Sequence, residues 1–369
     1  MAAQSPRAIS HGRVRRVIMA QLSHRRGARR TSRRPTLQAS RQPTLQASRY
    51  PLRQAPLSAA LLLMRLQRRL QRAHLHFGHG TERAKDDAAA LVWHALGLPV
   101  PASPARLARP VSARRRQLLE RLVRRRVVER VPVVYLTQRC WFAGLQMYVD
   151  ERVLIPRSPL AELIEQRFAP WIDARRVHRL LDVGTGSGCI AIACAKALPR
   201  AQVDALDISS DALEVARINI RAHRVSRRVR ALQSDHFGAL KGEAYDIIVS
   251  NPPYVGAREM AQLPPEYWHE PRQALAAGRD GLDSVRVLLR EGARRLRPGG
   301  ILVVEVGNSE ELVRREFARL PFTWLEFERG GGGVFVLTRE QLCAAAGGSR
   351  AALSGNMLDG GNVVVGDVG

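Results

Sequence analysis

The chain has 369 residues, 45% hydrophobic and 25% charged, enough for one globular domain with an ordinary core plus a smaller unit. No apolar run approaches the roughly 20 residues that cross a bilayer, so the sequence predicts a soluble, cytoplasmic protein with no membrane partner. The formal charge of +26 suggests nucleic acid until its distribution is considered: 17 of the 59 basic residues and none of the 33 acidic ones precede Glu82, and the remainder nets only +9.

Residues 1–54 are Arg, Ser, Gln and Pro with few large apolar side chains, and they cannot form a core. They carry a tandem octapeptide, RPTLQASR (34–41) then QPTLQASR (42–49), too short for a solenoid. We expect a disordered Arg-rich extension or an over-extended reading frame whose true start lies near Met64, rather than a transit peptide. Any nucleic-acid contact through this basic stretch would be incidental.

From 55 to 130 the pattern is helical. Leu61, Leu62, Leu66, Leu70 and Leu75 form one stripe, a second helix spans Asp86–Leu96, and a third covers Ser112–Val128. This predicts a small helical domain for substrate recognition. Residues 131–157 suggest a β-hairpin linker turning at Asp150-Glu151. From 158 to 343 strands alternate with helices, the pattern of a parallel sheet covered on both faces. The predicted strands are Arg179–Val183, Gln202–Leu206, Val229–Leu232, Asp246–Ser250 and Ile301–Val306. The predicted helices are Pro159–Phe168, Cys189–Leu198, Ser210–Ala222, Asp283–Leu296 and Glu310–Leu320. Phe322–Phe327 and Val334–Leu337 then make a closing antiparallel hairpin, and 344–369 is a flexible Gly- and Ala-rich tail.

The four cysteines, Cys140, Cys189, Cys194 and Cys343, are scattered, which suits reduced thiols packed as small hydrophobes. His74-Leu75-His76-Phe77-Gly78-His79 lacks a neighbouring Cys or carboxylate to complete a ligand set, so no metal is expected.

One segment stands out: Leu180-Leu181-Asp182-Val183-Gly184-Thr185-Gly186-Ser187-Gly188-Cys189. A hydrophobic strand enters a glycine-dense turn that opens a helix, so backbone can approach a ligand and present free N–H groups. The D-x-G-x-G-x-G spacing differs from the G-x-G-x-x-G that seats a pyrophosphate. It suits a ligand without phosphate whose ammonium bonds to carbonyls or a carboxylate. Asp207 ends the next strand, where an acid accepts from both hydroxyls of a ribose; the competing role is a helix cap, which Ser209 and Ser210 could supply. After the third strand, Asp235 and His236 are placed to hold an adenine. Three such segments at successive strand ends point to a bound adenosine.

The fourth strand delivers Asn251-Pro252-Pro253-Tyr254. An amide or aryl amine is a weak nucleophile, because its lone pair is delocalised. Asn251 can accept one of its N–H groups and the Pro252 carbonyl the other, so the lone pair turns toward an electrophilic methyl. Pro252 and Pro253 stiffen the turn, and the Tyr254 ring can lie against a planar acceptor. The bland alternative is a rigid strand-to-loop turn.

These segments resemble the protein glutamine N-methyltransferases, and most closely the PrmB branch that methylates a glutamine of large-subunit ribosomal protein L-three. The likeness runs from about Leu57 to Ala344 and includes FGHGT (77–81), YLTQRCWFAGLQMYVDERVLIPRSPLAELI (135–164), NPPYV (251–255), LPPEYWHEPRQALAAGRDGLD (263–283) and EVGNS (305–309). It implies an α/β fold: a Rossmann-like class I methyltransferase sheet, mostly parallel with a closing antiparallel hairpin, behind a small N-terminal helical domain. It also implies S-adenosylmethionine as cofactor, held by Asp182, Gly184, Thr185, Gly186, Gly188, Asp207, Asp235, His236 and Asn251. The partner is a ribosomal protein, free or in an assembling large subunit, with Arg157 and Glu270 bordering the acceptor pocket.

Two positions depart from the branch. Gly184 stands where Cys is common, and His236 where an aromatic or apolar residue is usual. Enzymes acting on peptide release factors usually follow the IPR segment with an acidic stretch; here Ser158-Pro159 follows. Release-factor glutamine methylation, nucleic-acid amine methylation and a silent binding protein are the alternatives. The last conflicts with intact Gly184, Gly186, Gly188, Asp207 and Asn251.

Overall fold

A computed structural model describes residues 57–99 and 102–345. The readings of 1–54 and of nearly all of 344–369 lie outside the described residues.

Helix α1 (Ala59–Gln71) starts where Ser58 Oγ accepts from the Leu61 amide at 3.3 Å, a capping bond that satisfies one orphan N–H. Leu66 and Leu70 are buried while Arg68 and Arg69 face solvent. Helix α2 (Ala84–Leu96) is capped by Gly97 in the left-handed region; α3 (Pro104–Ala108) is short, and α4 (Ala113–Val127) is capped by Ser112. Then come α5 (Val133–Thr137) and the strands β1 (Cys140–Phe142) and β2 (Leu145–Met147).

Here the hairpin expectation needs correcting. β1 and β2 pair antiparallel about Ala143 and Gly144, both at positive φ, and not about Asp150-Glu151. Val149, Val153 and Ile155 are buried, but in irregular chain between the helical unit and the sheet. Asp150 does make a turn, accepting from the Arg152 amide at 3.1 Å.

After α6 (Leu160–Glu165) come β3 (Arg179–Val183), α7 (Cys189–Ala197), β4 (Gln202–Asp207), α8 (Ser210–Ala222), β5 (Val229–Gln233) and β6 (Tyr245–Ser250). An excursion carrying α9 (Ala257–Met260) follows, then α10 (Asp283–Arg295), β7 (Leu296–Glu305), α11 (Glu310–Glu316), β8 (Thr323–Trp324) and β9 (Val334–Thr338). The seven-stranded sheet has the order β5-β4-β3-β6-β7-β9-β8, with β9 alone reversed. This is the class I methyltransferase sheet.

Side chains alternate between two cores. Leu180, Ile247, Val249, Ile301 and Val303 join a core continuous with that of the helical unit; Leu181, Ile248, Leu302 and Val304 join the other. β6 is buried along its whole length, which only a central parallel strand requires. Among the described residues, no helix is long and apolar enough to cross a membrane.

Candidate active site

Strand order reverses between β4 and β6 around the central β3, and open α/β sheets bind ligands at such a crevice beyond the strands' carboxyl ends. The registers put four strand tips in one row: Val183 is level with Leu206 and with Ser250, and Ser250 with Val304. The residues that follow this row are Gly184, Asp207, Asn251 and Glu305. Segments distant in sequence thus meet at one edge.

On the glycine side, Gly184 and Thr185 amides both donate to the Leu206 carbonyl, drawing the loop over β4. Gly186, at φ +53, has no neighbour within 4 Å of where a Cβ would sit, so its open side faces free space. Its amide donates to Asp207 at 2.8 Å, and the Ser209 amide donates to the other Asp207 oxygen at 2.9 Å. Asp207 therefore stands between loop and helix cap with both oxygens fixed. Burial raises its pKa, against those amide bonds.

Asp182 is fully buried beneath the loop. One oxygen accepts from Thr185 Oγ1 at 2.6 Å and from the Ala191 amide at 3.0 Å, so the Thr185 side chain also points into the loop's foundation. The other oxygen has no partner among the described residues. Burial pushes the carboxyl up to about 7. Gly188 serves packing: a Cβ there would lie 3.2 Å from that of Ala216 on α8. Asn219 of α8 donates to the Ser187 and Tyr148 carbonyls, both at 2.9 Å, tying loop to linker; nothing in its sequence surroundings marks it out. At the tip of β5, Asp235 is mostly exposed and pairs with His236 Nδ1 at 2.6 Å, while Ser234 Oγ donates to the His236 carbonyl.

Across the crevice, a Cβ on Gly184 would come within 3.9 Å of the Asn251 carbonyl, so the glycine loop and the Asn-Pro-Pro-Tyr turn are in near contact. Pro252 is buried, Pro253 and Tyr254 half-buried. The Asn251 Oδ1 atom is buried and has no hydrogen-bond partner among the described residues. A buried lone acceptor costs on the order of 1–3 kcal/mol, which marks it as a group kept for a ligand.

Arg157 and Glu270, the two residues expected at the acceptor border, are in contact. Arg157 Nη1 lies 2.7 Å from Glu270 Oε1, with the guanidinium carbon 5.3 Å from the centre of the Tyr267 ring. Glu270 also accepts from the Ile155 amide at 3.4 Å, and His79 Nε2 approaches to 3.1 Å, too far off-line for a good hydrogen bond. Burial opposes ionisation of Glu270, but His79 and the Arg157 charge hold its carboxyl below the usual range. Glu270 is thus buried with its own oxygens engaged, and it is Arg157 that stays partly exposed. His79 is buried against Tyr267, their centroids 4.3 Å apart, while His74 and His76 are exposed. Among the described residues, no three His, Cys, Asp or Glu side chains converge as a metal set. Cys140, Cys189 and Cys194 are buried thiols; Cys343 is exposed, contrary to the packed role expected of it.

Against known proteins, the methyltransferase small domain model matches residues 165–279. A ribosomal protein uL3 glutamine methyltransferase of Neisseria meningitidis serogroup A is 47% identical over 276 residues, 74% of this chain and 90% of the relative. That of Neisseria gonorrhoeae is 46% identical over 276 residues, 74% of this chain and 92% of the relative. The chain belongs to the ribosomal protein uL3 glutamine methyltransferase family. It is an enzyme, a methyltransferase. A crystal structure of a methyltransferase from Pyrococcus furiosus aligns over 53% of this chain and 89% of its own, at 20% identity and a TM-score of 0.40. Glu305 lies within the family-like stretch 305–309, yet the sequence reading gave it no task; an acid directly after the apolar Ile301–Val304 run was the available signal.

Proposed function

We propose that this protein transfers a methyl group from S-adenosylmethionine to the side-chain amide nitrogen of a glutamine in ribosomal protein uL3. The unpartnered, buried Asn251 Oδ1, directly across the crevice from the glycine loop, is the observation that carries the reading. The residues fit the cofactor: Gly186 leaves open space, Asp207 offers a fixed carboxylate for a ribose, and Asp182 braces the loop from beneath through Thr185 and the Ala191 amide. Asp235 and His236 would flank the adenine. When bound, S-adenosylmethionine supplies an electrophilic methyl on a sulfonium.

The chain's own work is on the acceptor. A glutamine amide has two N–H donors; Asn251 Oδ1 accepts one and the Pro252 carbonyl the other. That grip holds the nitrogen in place and favours its pyramidal form. Pro253 limits movement of the carbonyl, and the Tyr254 ring covers the face of the amide. No base is needed beforehand, since the alkylated nitrogen is acidic and loses a proton to solvent. We assign acceptor-protein recognition to the helical unit (55–130), with 131–157 linking it to the catalytic unit (158–343), and we place the reaction in the cytoplasm, where ribosomal proteins are made.

Intact-mass measurement after incubation with purified uL3 or, separately, release factor tests the assignment: uL3 gains one methyl and release factor none. Asn251→Ala should lower kcat about 100- to 1,000-fold while thermal shift shows cofactor binding retained. Undiminished turnover in that variant would remove the mechanism.

A further inference from the structure

Glu305 ends β7 one residue past the Val304–Ser250 pair, level with the start of the Asn251 turn that follows β6, and it is 4% exposed. A buried carboxyl is costly unless its oxygens are engaged. Glu305 accepts a short hydrogen bond from Ser158 Oγ, and the Tyr254 hydroxyl and the Arg157 guanidinium face it. Two residues on, Gly307 adopts φ +47, and a Cβ there would lie 2.7 Å from Tyr254 Cε2 and 2.9 Å from Cζ, so the Tyr254 ring rests directly on this glycine. Ser309 Oγ then donates to the Tyr254 carbonyl at 3.0 Å. Gly307 and Ser309 therefore hold Tyr254 at its ring and its backbone, with Glu305 facing its hydroxyl.

We propose that Glu305 is a positioning residue for the acceptor: it anchors the Tyr254 hydroxyl and, through Ser158, ties the 155–158 segment to the Asn251–Tyr254 turn, setting the ring at the height of the amide plane. The inference rests on the reading of Asn251 and Pro252 as the acceptor grip. An ionised carboxylate accepts from both hydroxyls, whereas a protonated one commits an oxygen to its own proton. Burial pushes the Glu305 carboxyl up to about 7, while Ser158, Arg157 and Tyr254 favour its charged form. The hold on Tyr254 therefore tightens as pH rises through about 7.

The test uses the full chain with uL3 as acceptor. Glu305→Gln should lower acceptor kcat/KM roughly 10- to 100-fold, the worth of one charge-assisted hydrogen bond, with S-adenosylmethionine affinity by calorimetry unchanged. The wild-type rise in acceptor kcat/KM around pH 7 should be absent from Glu305→Gln. Because Glu305 acts through Tyr254, combining Glu305→Gln with Tyr254→Phe should cost no more than the worse single change. Additive losses, a rise persisting in Glu305→Gln, or a Glu305→Gln enzyme equal to wild type would each overturn the inference. Should Glu305→Gln not fold, Ser158→Ala carries the test: losing a donor to the ionised form moves the rise to higher pH, and an unmoved rise is a refutation. An inactive Asn251→Ala beside an unaltered Glu305→Gln sinks this inference alone; full turnover in Asn251→Ala sinks the grip itself, and this inference with it.

Discussion

Arg126 is 2% exposed, and its guanidinium joins three places in the chain: 2.6 Å to Asp87 Oδ2, 3.3 Å to Glu266 Oε1 and 2.8 Å to the His76 carbonyl. Arg126→Met keeps much of the volume and removes every one of these bonds. Glu266 retains the His76 amide at 3.0 Å and Arg130 at 3.5 Å, so most of the loss falls on Asp87, which is left with the Thr81 hydroxyl. Stranding one fully buried carboxylate costs about 3–5 kcal/mol. At roughly 2–4 °C per kcal/mol for a chain of this size, the thermal midpoint should fall on the order of 10 °C. Urea unfolding measures it directly. Asp87→Asn added to Arg126→Met should recover part of the deficit. Because Glu266 shares its short helical turn with Tyr267 and leads to Glu270, the acceptor KM should also rise. A change below 1 kcal/mol, or a further loss on adding Asp87→Asn, would refute the reasoning.

Asp182 supplies a pH test. Burial pushes its folded carboxyl up to about 7, well above the ordinary aspartate range, so the folded state holds the proton more tightly than the unfolded chain. That stability is complete below about 4 and declines as pH rises to about 7, and Glu305 acts in the same direction. The thermal midpoint of Asp182→Asn relative to wild type should therefore climb between pH 4 and 7 and then level off; a constant difference would contradict it. At Gly186 a Cβ meets no protein atom but enters the crevice, so Gly186→Ala should cost about 1 kcal/mol of stability and weaken S-adenosylmethionine binding at least tenfold by calorimetry. Unchanged affinity would move the cofactor away from that glycine.

The central strands were legible because burial on both faces leaves continuous apolar runs, as in Tyr245–Ser250, and the glycine loop and Asn251 were legible because their chemistry is local. Most helix ends differ by a residue or two, where capping serines and frayed turns decide, but the helices expected to reach Phe168 and Leu320 stop at Glu165 and Glu316. Two things were hidden. The chain over 148–155 mimics a strand because extended backbone wedged between two packed units buries residues such as Val149 and Val153 as a strand does. The other concealed layer is polar pairing across long separations: Ser158 with Glu305 is 147 residues apart, and Arg126 with Glu266 is 140. Periodicity carries no information at that range. His79 belongs to the same class, its surroundings at Tyr267 and Glu270 supplied by a distant loop.

In the proposed mechanism, another such long-range pair, Arg157 with Glu270, complements an acceptor grip made of bare oxygens. An amide is two-sided: its nitrogen needs acceptors and its oxygen needs donors. On the function proposed above, Asn251 Oδ1 and the Pro252 carbonyl serve the nitrogen. Arg157 spends Nη1 on Glu270 and on the Ile155 carbonyl at 3.4 Å, and its side chain stays a quarter exposed, with its remaining N–H groups available to the amide oxygen. On the function proposed above, a glutamate in the same place would satisfy Arg157 but set a carboxylate oxygen against two acceptors, leaving buried oxygens unpaired on both sides. That mismatch costs far more than the loss of one weak contact, and it selects glutamine over glutamate without any group large enough to exclude the acid by shape.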